Sequence, residues 1–224
     1  MPPRNLVVAI ALGALATLAH PFVFFRRFVG SRYSFARSEL DTGRWTPELL
    51  KRLEWRRFEE LCAAYFEALG FRTDLAGAGA DGSAAINLYE QGSGSASILV
   101  QCKPWNAHRV GIKPVRELRR AMTSGNVGEG VLVTSGKFTL EARDFADAQR
   151  ISLIDGDELL GKITALLPEK ALALLKLATR GDFLTPTCPS CGIKMTPRKS
   201  TAHGRTYWGC RNYPGCKHTF YEAA

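Results

Sequence analysis

Negative charge is scarce in this chain. Its 224 residues include 21 Asp and Glu against 30 Lys and Arg, which gives a formal net charge of +9 at pH 7. A surplus of this sign argues against cationic partners and favours anionic ones, either nucleic acid or a membrane surface. The length allows one ordinary domain together with smaller modules.

Charge is absent altogether from residues 6–25, which contain no Asp, Glu, Lys or Arg. An apolar run of this length matches the roughly 20 residues that a helix needs to cross a bilayer. We therefore expect a transmembrane helix within residues 1–25. His20 and Pro21 weaken its end, so a cleaved signal peptide, cut near Ala16 or Ala19, remains the alternative.

The arginines around this segment predict its orientation. Arg4 alone precedes it, whereas four arginines follow it: Arg26, Arg27, Arg32 and Arg37. The positive-inside tendency then leaves the C-terminal part in the cytoplasm of a bacterium, with a single pass through the inner membrane. Residues 26–46 are expected to form a basic linker, a solvated spacer that could alternatively contact anionic lipid headgroups.

Cysteines are also few, six in all, and four of them lie near the C-terminus. Cys188 and Cys191 are three residues apart around Pro-Ser, and Cys210 and Cys216 form a second pair. Four thiolates predict a closed, structural Zn²⁺ site. Disulfides are the disfavoured alternative in a small cytoplasmic module, whose folding should depend on the ion and whose chelation should spare the rest of the chain. The other two cysteines, in apolar patterns, are expected to be buried thiols: Cys62 and Cys102.

Strand and helix patterns alternate through the middle of the chain, which predicts an α/β sandwich with a central sheet. The expected helices span residues 55–69, 113–122 and 139–149. The expected strands span residues 71–75, 98–103, 130–134 and 151–155. A further helix over residues 162–180, interrupted near Pro168, should pack its apolar face on this domain, and residues 166–185 should link it to the cysteine module.

The strand at residues 98–103 places two polar side chains in an otherwise apolar run. Gln101 and Lys103 are two residues apart, so they project from the same face of a strand. An acceptor beside a cation suggests a reactive site, although Lys103 could simply reach solvent at a strand end.

Residues 47–165 resemble the Mrr-type restriction endonuclease domain, a branch of the PD-(D/E)xK nucleases, through six motifs in order. They are Phe-Glu-Glu-Leu at 58–61, Gly-Ala-Asp-Gly at 79–82, Val-Gln-Cys-Lys-Pro-Trp at 100–105, Val-Gly-Ile-Lys at 110–113 with Glu-Leu at 117–118, Val-Thr-Ser-Gly at 133–136, and Leu-Ile-Asp-Gly at 153–156. The resemblance implies a restriction-endonuclease-like αβα sandwich with a central mixed sheet. It also implies hydrolysis of DNA phosphodiesters with a divalent ion, usually Mg²⁺.

In that family an acceptor and a lysine on one strand act with a metal-binding Asp. Gln101 and Lys103 match the first two, but Ala85 stands where the resemblance places the Asp, and a methyl group cannot bind Mg²⁺. Asp81 or Glu59 could supply the missing carboxylate, and Asn87 is a poorer substitute. Each also has an ordinary interpretation, as a turn, helix-surface or strand-end residue.

Residues 186–221 resemble the C-terminal four-cysteine zinc ribbon of bacterial type I topoisomerases. The resemblance rests on Cys-Pro-Ser-Cys-Gly at 188–192, Tyr-Trp-Gly-Cys at 207–210 and Asn-Tyr-Pro-Gly-Cys at 212–216. It implies binding of single-stranded DNA, which aromatic and basic side chains independently favour. The candidates are Trp208, Tyr213, Tyr207, Arg205, Arg211 and Lys217, with Lys194, Arg198 and Lys199 as further phosphate contacts. Trp208 could equally form the small core of the ribbon.

Two functions follow from these features. One is a membrane-anchored, Mg²⁺-dependent DNA endonuclease of restriction type. The other is a DNA-binding protein on an inactive nuclease fold, and the ribbon leaves RNA open as a ligand. Lys103 and Gln101 favour the first function, whereas Ala85 favours the second.

Overall fold

The computed structural model describes residues 43–76, 85–103, 109–201 and 204–221. The predicted transmembrane segment at residues 1–25 and nearly all of the basic linker lie outside these ranges. Within the described part of the chain, no helix is long and apolar enough to cross a membrane.

A five-stranded sheet forms the centre of the larger domain. Its strands are β1 (Arg72–Ala76), β2 (Ala85–Tyr89), β3 (Ile98–Lys103), β4 (Glu129–Thr134) and β5 (Ile151–Ile154), in the spatial order β1-β2-β3-β4-β5. The first three strands pair antiparallel, and β3, β4 and β5 pair parallel. This arrangement confirms the predicted central mixed sheet.

Helices cover both faces of that sheet. They are α1 (Pro47–Arg52), α2 (Trp55–Ala68), α3 (Ile112–Ser124), α4 (Leu140–Asp147), α5 (Gly156–Thr164) and α6 (Pro168–Thr179). Helices α3 and α4 pack on the face that carries Leu99 and Leu132. Helix α2 packs on the other face, together with α1, α5 and α6. The domain is therefore a three-layer αβα sandwich, as the sequence predicts.

The ends of the helices follow local sequence signals. Helix α2 begins after Glu54, whose side chain accepts a hydrogen bond from the Arg56 N–H, and it ends before Gly70, which has a φ of +101°. A left-handed residue stops a helix, and glycine adopts that conformation without strain. Leu69, the last residue of the predicted helix, is 48% exposed because it falls at the C-cap.

The predicted interrupted helix at residues 162–180 is two separate helices, and the first begins earlier than expected. Asp155 caps α5 with a capping box that includes Glu158. Pro168 occupies the first turn of α6, a position where its missing N–H costs nothing. Lys170 Nζ donates to Ala68 O at 2.6 Å, so α6 packs against α2 as expected.

The C-terminal module contains a three-stranded antiparallel sheet of β6 (Met195–Lys199), β7 (Thr206–Cys210) and β8 (Thr219–Tyr221). The first cysteine pair lies on the turn that precedes β6. The second pair lies at the end of β7 and in the following loop.

Candidate functional site

Strand register brings three site positions onto one face of the central sheet. Ala85 on β2 lies directly opposite Gln101 on β3 in the antiparallel pair. Directly paired residues share a face, and so do residues two apart on a strand, so Ala85, Gln101 and Lys103 project from the same side. Gln101 and Lys103 thus share one face of β3, as the sequence predicts.

This face is partly covered by helices α3 and α4. Ala85 packs against the hydrophobic cluster that includes Leu99. The side-chain oxygen of Gln101 is buried and Lys103 is half-buried. The Thr134 hydroxyl on β4 donates to Lys103 O at 2.8 Å and fixes the end of β3. The backbone of β3 that carries Gln101 and Lys103 is therefore fixed in position.

Glu59 lies on the opposite side of the sheet. Its helix, α2, covers the face from which Cys102 projects, and Glu59 itself is only 4% exposed. A hydrogen bond with the Cys62 thiol, together with burial and the Glu59 charge, raises the pKa of Cys102 well above its usual value. Cys62 and Cys102 are buried thiols, as predicted. The helix that carries Glu59 thus packs on the Cys102 face of the sheet, whereas Gln101 and Lys103 project from the other face.

A divalent ion on the Gln101 face would need a carboxylate ligand. Asn87 lies opposite Leu99, on the face of Ala85 but further from Lys103. On β3, Gln101 supplies a neutral side-chain oxygen at this spot, and one neutral oxygen beside an ammonium does not suit a hard cation. The side chains of β2 and β3 at this spot alone therefore do not fit Mg²⁺. Asp81 lies outside the described residues.

A cluster of charged side chains lies just after the carboxyl ends of β4 and β5. The buried carboxylate of Asp155 accepts hydrogen bonds from Lys137 Nζ and an Arg143 guanidinium nitrogen, each at 3.0 Å. Burial by itself would raise the pKa of Asp155, but bonds from the Glu158 N–H and from Lys137 outweigh it, so the pKa is lowered. Hydrogen bonds with Asp157 and with Asp155 raise the pKa of Lys137. The Leu-Ile-Asp-Gly motif therefore has a structural role in this fold.

The four predicted zinc ligands lie together. The sulfurs of Cys188, Cys191, Cys210 and Cys216 all lie within 4.8 Å of one another. Cys188 Sγ is 3.7 Å from Cys216 Sγ, and Cys191 Sγ is 3.3 Å from Cys210 Sγ. All four are free thiols, which disagrees with the disulfide alternative. Tetrahedral zinc with Zn–S bonds of about 2.3 Å needs sulfurs about 3.8 Å apart, so the donor set and its spacing fit this ion.

The pKa of one of these thiols is strongly perturbed. Burial, reinforced by the neighbouring thiols, raises the pKa of Cys210 to about 12, although the Asn212 N–H donates to its sulfur. Crowded thiols resist ionisation together unless a cation balances their charge.

The strand register of the module separates its aromatic residues by face. Trp208 pairs with Pro197 and Phe220 and is only 5% exposed, so it belongs to the core of the module and is not placed to stack on a base. Tyr207 projects from the other face and pairs with Arg198.

That other face combines aromatic and basic groups. The Arg198 guanidinium lies 5.1 Å from the centre of the Tyr213 ring, which is 58% exposed. Arg205, Arg211 and Lys217 are exposed. We call Tyr207, Arg198 and Tyr213 the aromatic-basic face.

Lys194 is not placed to contact phosphate. Its ammonium forms an ion pair with Glu54 at 3.0 Å and donates to Thr185 O at 2.9 Å. The sequence alone offered no signal for this contact, because the two partners are 140 residues apart.

An αβα sandwich that carries Gln101 and Lys103 together on a central strand has the form of a restriction-type nuclease domain. A family model described as a restriction endonuclease, Mrr_cat, matches residues 50–163, just over half of the chain. The chain belongs to this Mrr_cat restriction endonuclease family, which confirms the resemblance of residues 47–165 at the level of the family. No curated protein matches the chain.

The solved structures that are similar to parts of the chain include the following three. The DNA modification-dependent restriction endonuclease AspBHI is 21% identical with a TM-score of 0.43, and the match covers 60% of this chain and 39% of AspBHI. MspJI restriction endonuclease, solved in complex with a 27-mer oligonucleotide, is 19% identical with a TM-score of 0.40 over 60% of this chain and 34% of MspJI. AF1548, a protein of unknown function, is 20% identical with a TM-score of 0.36 over 50% of this chain and 68% of that protein. The chain thus spans well under two-thirds of the first two proteins.

Proposed function

We propose that this member of the restriction endonuclease family is a DNA endonuclease that hydrolyses phosphodiesters with a divalent metal. The observation that carries the proposal is the pair of Gln101 and Lys103 on one face of β3. Lys103 would orient the attacking water and offset charge that develops on the phosphate. Thr134 fixes the backbone of Lys103 at the end of β3, so the side chain starts from a defined position beside Gln101.

The metal part of this proposal depends on Asp81. A divalent ion would supply charge to polarise the phosphate and lower the pKa of water. Gln101 would contribute one oxygen, and Asp81, four residues before Ala85, is the proposed source of the carboxylate. Glu59 is the weaker candidate because its helix, α2, packs on the face of the sheet from which Cys102 projects, opposite to that of Gln101.

A second function is favoured by Ala85 itself. A methyl group directly opposite Gln101 occupies the position where the family resemblance places a ligand. Under this alternative the chain binds DNA on an inactive nuclease fold and tethers or senses it at the membrane.

Cleavage of supercoiled plasmid in the presence of Mg²⁺ separates the two functions. If the domain is active, Lys103→Ala should abolish cleavage, whereas the matched control Lys162→Ala, at an exposed position of helix α5, should leave it intact. Ala85→Asp should raise activity if the methyl group weakens the site, because Gln101 and Lys103 are already in place. Failure of both the wild type and Ala85→Asp to cut with any divalent ion would leave the DNA-tether function.

The C-terminal module, residues 186–221, is proposed to be a zinc ribbon that binds single-stranded DNA. The spacing of its four sulfurs supports one structural Zn²⁺, and the aromatic-basic face supports stacking and phosphate contacts. Metal analysis should find one zinc per chain. A stoichiometry far below one would refute the zinc assignment.

We also propose that residues 1–25 anchor the protein in the bacterial inner membrane, with the nuclease domain at 47–165 and the ribbon in the cytoplasm. The proposal rests on the uncharged run and the excess of arginine after it. DNA, the proposed partner, is in that compartment.

A further inference from the structure

The turn that carries the first cysteine pair rests on the start of helix α2. Thr187 and Lys194 pair across the base of this turn. Within it, Cys188 N–H donates to Ile193 O and Gly192 N–H donates to Cys188 O, both at 2.8 Å. Movement of Thr187 or Lys194 at the base of the turn would therefore also move Cys188 and Cys191 within it.

Glu54, the residue that caps α2, binds both residues at this base. One carboxylate oxygen accepts from Lys194 Nζ and from the Thr187 hydroxyl, each at 3.0 Å. The other accepts from Thr187 N–H and from Arg56 N–H, each at 3.2 Å. Its side chain is 3% exposed, so the carboxylate depends on these partners in place of water.

Neighbouring residues extend the contact. Trp55 Nε1 donates to Thr187 O at 2.6 Å, and Glu54 N–H donates to Phe183 O at 2.9 Å. The cysteine turn is thus joined to the first residues of α2 through both side-chain and backbone bonds.

We propose that Glu54 couples metal binding at the four cysteines to the position of helix α2, so that the module is a fixed part of the nuclease domain. The inference rests on the zinc assignment proposed above. The metal fixes the turn, and the turn supplies the groups that solvate the Glu54 carboxylate and hold the helix start. Because such coupling is reciprocal, the contacts of Glu54 also strengthen metal binding.

Helix α2 also contacts the strand of the candidate active site. Helix α2 carries Cys62, which contacts Cys102 on the strand that bears Gln101 and Lys103. Loss of the metal should therefore loosen the helix that supports the back of β3. This proposal thus replaces the expectation that chelation spares the rest of the chain.

Hydrogen exchange on the unmodified full-length protein tests the coupling without any substitution. Removal of zinc with a chelator should increase amide exchange in residues 55–62 as well as in the module, while residues 112–124 of α3, on the opposite face, should change little. If exchange rises only in the module, residues 186–221, the proposed coupling is wrong.

Zinc affinity provides the reciprocal measurement, by competition with a chromophoric chelator. Glu54→Gln and Lys194→Met should each lower zinc affinity about 5-fold to 150-fold, the range typical of coupled sites. Glu60→Gln is the matched control, since Glu60 lies on the same helix and its ion pair among the described residues is the local one with Arg57 at 3.3 Å.

The outcomes separate this inference from the zinc assignment. One zinc per chain in the wild type, with the affinity of Glu54→Gln and Lys194→Met within twofold of the control, would overturn the coupling alone. Absence of zinc from the wild type would overturn both. If Glu54→Gln does not fold, Lys194→Met and the exchange measurement decide.

Discussion

Replacement of Asp155 by Ala should destabilise the nuclease domain far more than replacement of Asp157. Both carboxylates pair with Lys137, and the contact of Asp157 is shorter, 2.6 Å against 3.0 Å. Their surroundings differ, because the side chain of Asp155 is 5% exposed and that of Asp157 is 66% exposed. Distance alone would predict the opposite order.

The magnitude follows from what each carboxylate holds. Asp155 caps helix α5, a contribution of about 0.5–2 kcal/mol, and leaves Lys137 and Arg143 without a buried partner when it is removed. Loss of a fully buried partner costs about 3–5 kcal/mol, and partial exposure of the two cations reduces that figure, so we expect a total of about 2–4 kcal/mol for Asp155→Ala. An exposed pair such as that of Asp157 contributes about 0–1 kcal/mol.

Urea unfolding followed by far-UV circular dichroism measures the difference. With a slope of about 1–3 kcal/mol per molar, the midpoint of Asp155→Ala should fall by roughly 1–2 M. Equal midpoints for Asp155→Ala and Asp157→Ala would refute the reasoning from burial.

The effect should also depend on pH. The pKa of Asp155 is lowered in the folded state, so its stabilisation is complete above the unfolded value of about 3.9 and is lost as the pH falls through the folded value. The difference in stability between the wild type and Asp155→Ala should therefore shrink below about pH 4. A difference that stays constant from pH 7 to pH 3 would contradict this assignment.

Three further predictions concern the rest of the chain. Gly156→Ala should lower Tm by roughly 3–10 °C in calorimetry, because a Cβ there would collide with the backbone carbonyl of Ser135; an unchanged Tm would contradict the close approach. Tyr213→Ala should weaken binding of a single-stranded oligonucleotide by about 1–3 kcal/mol in fluorescence anisotropy while zinc remains bound, whereas Trp208→Ala should unfold the module and release zinc. A reporter fused at Ala224 should show a cytoplasmic C-terminus, and a mature protein that begins near residue 19 would show a signal peptide instead.

Local sequence was sufficient where the physical constraint is itself local. The two-residue period of a strand placed Gln101 and Lys103 on one face, and the spacing of Cys188 and Cys191 predicted two sulfurs on one turn. Alternation of helical and strand patterns predicted the class of fold. The C-terminal end of α2 was predictable because a glycine such as Gly70, which adopts a positive φ without strain, commonly ends a helix.

Contacts between distant segments needed the tertiary structure. β7 alternates its side chains, but which face is buried depends on what the sheet packs against, so Trp208 could not be separated from Tyr207 beforehand. Lys194 resembled any other basic residue of the module until the fold placed it beside Glu54.

The same reason applies to the candidate active site. Membership of a strand face follows from sequence, but the side of the sheet that a helix covers does not, so the sequence could not show that α2, which carries Glu59, packs on the face from which Cys102 projects. The sequence by itself determined the kinds of groups available and their local periodicity. Packing of segments far apart in the chain decided which of those groups meet, because burial and pairing are properties of the folded whole.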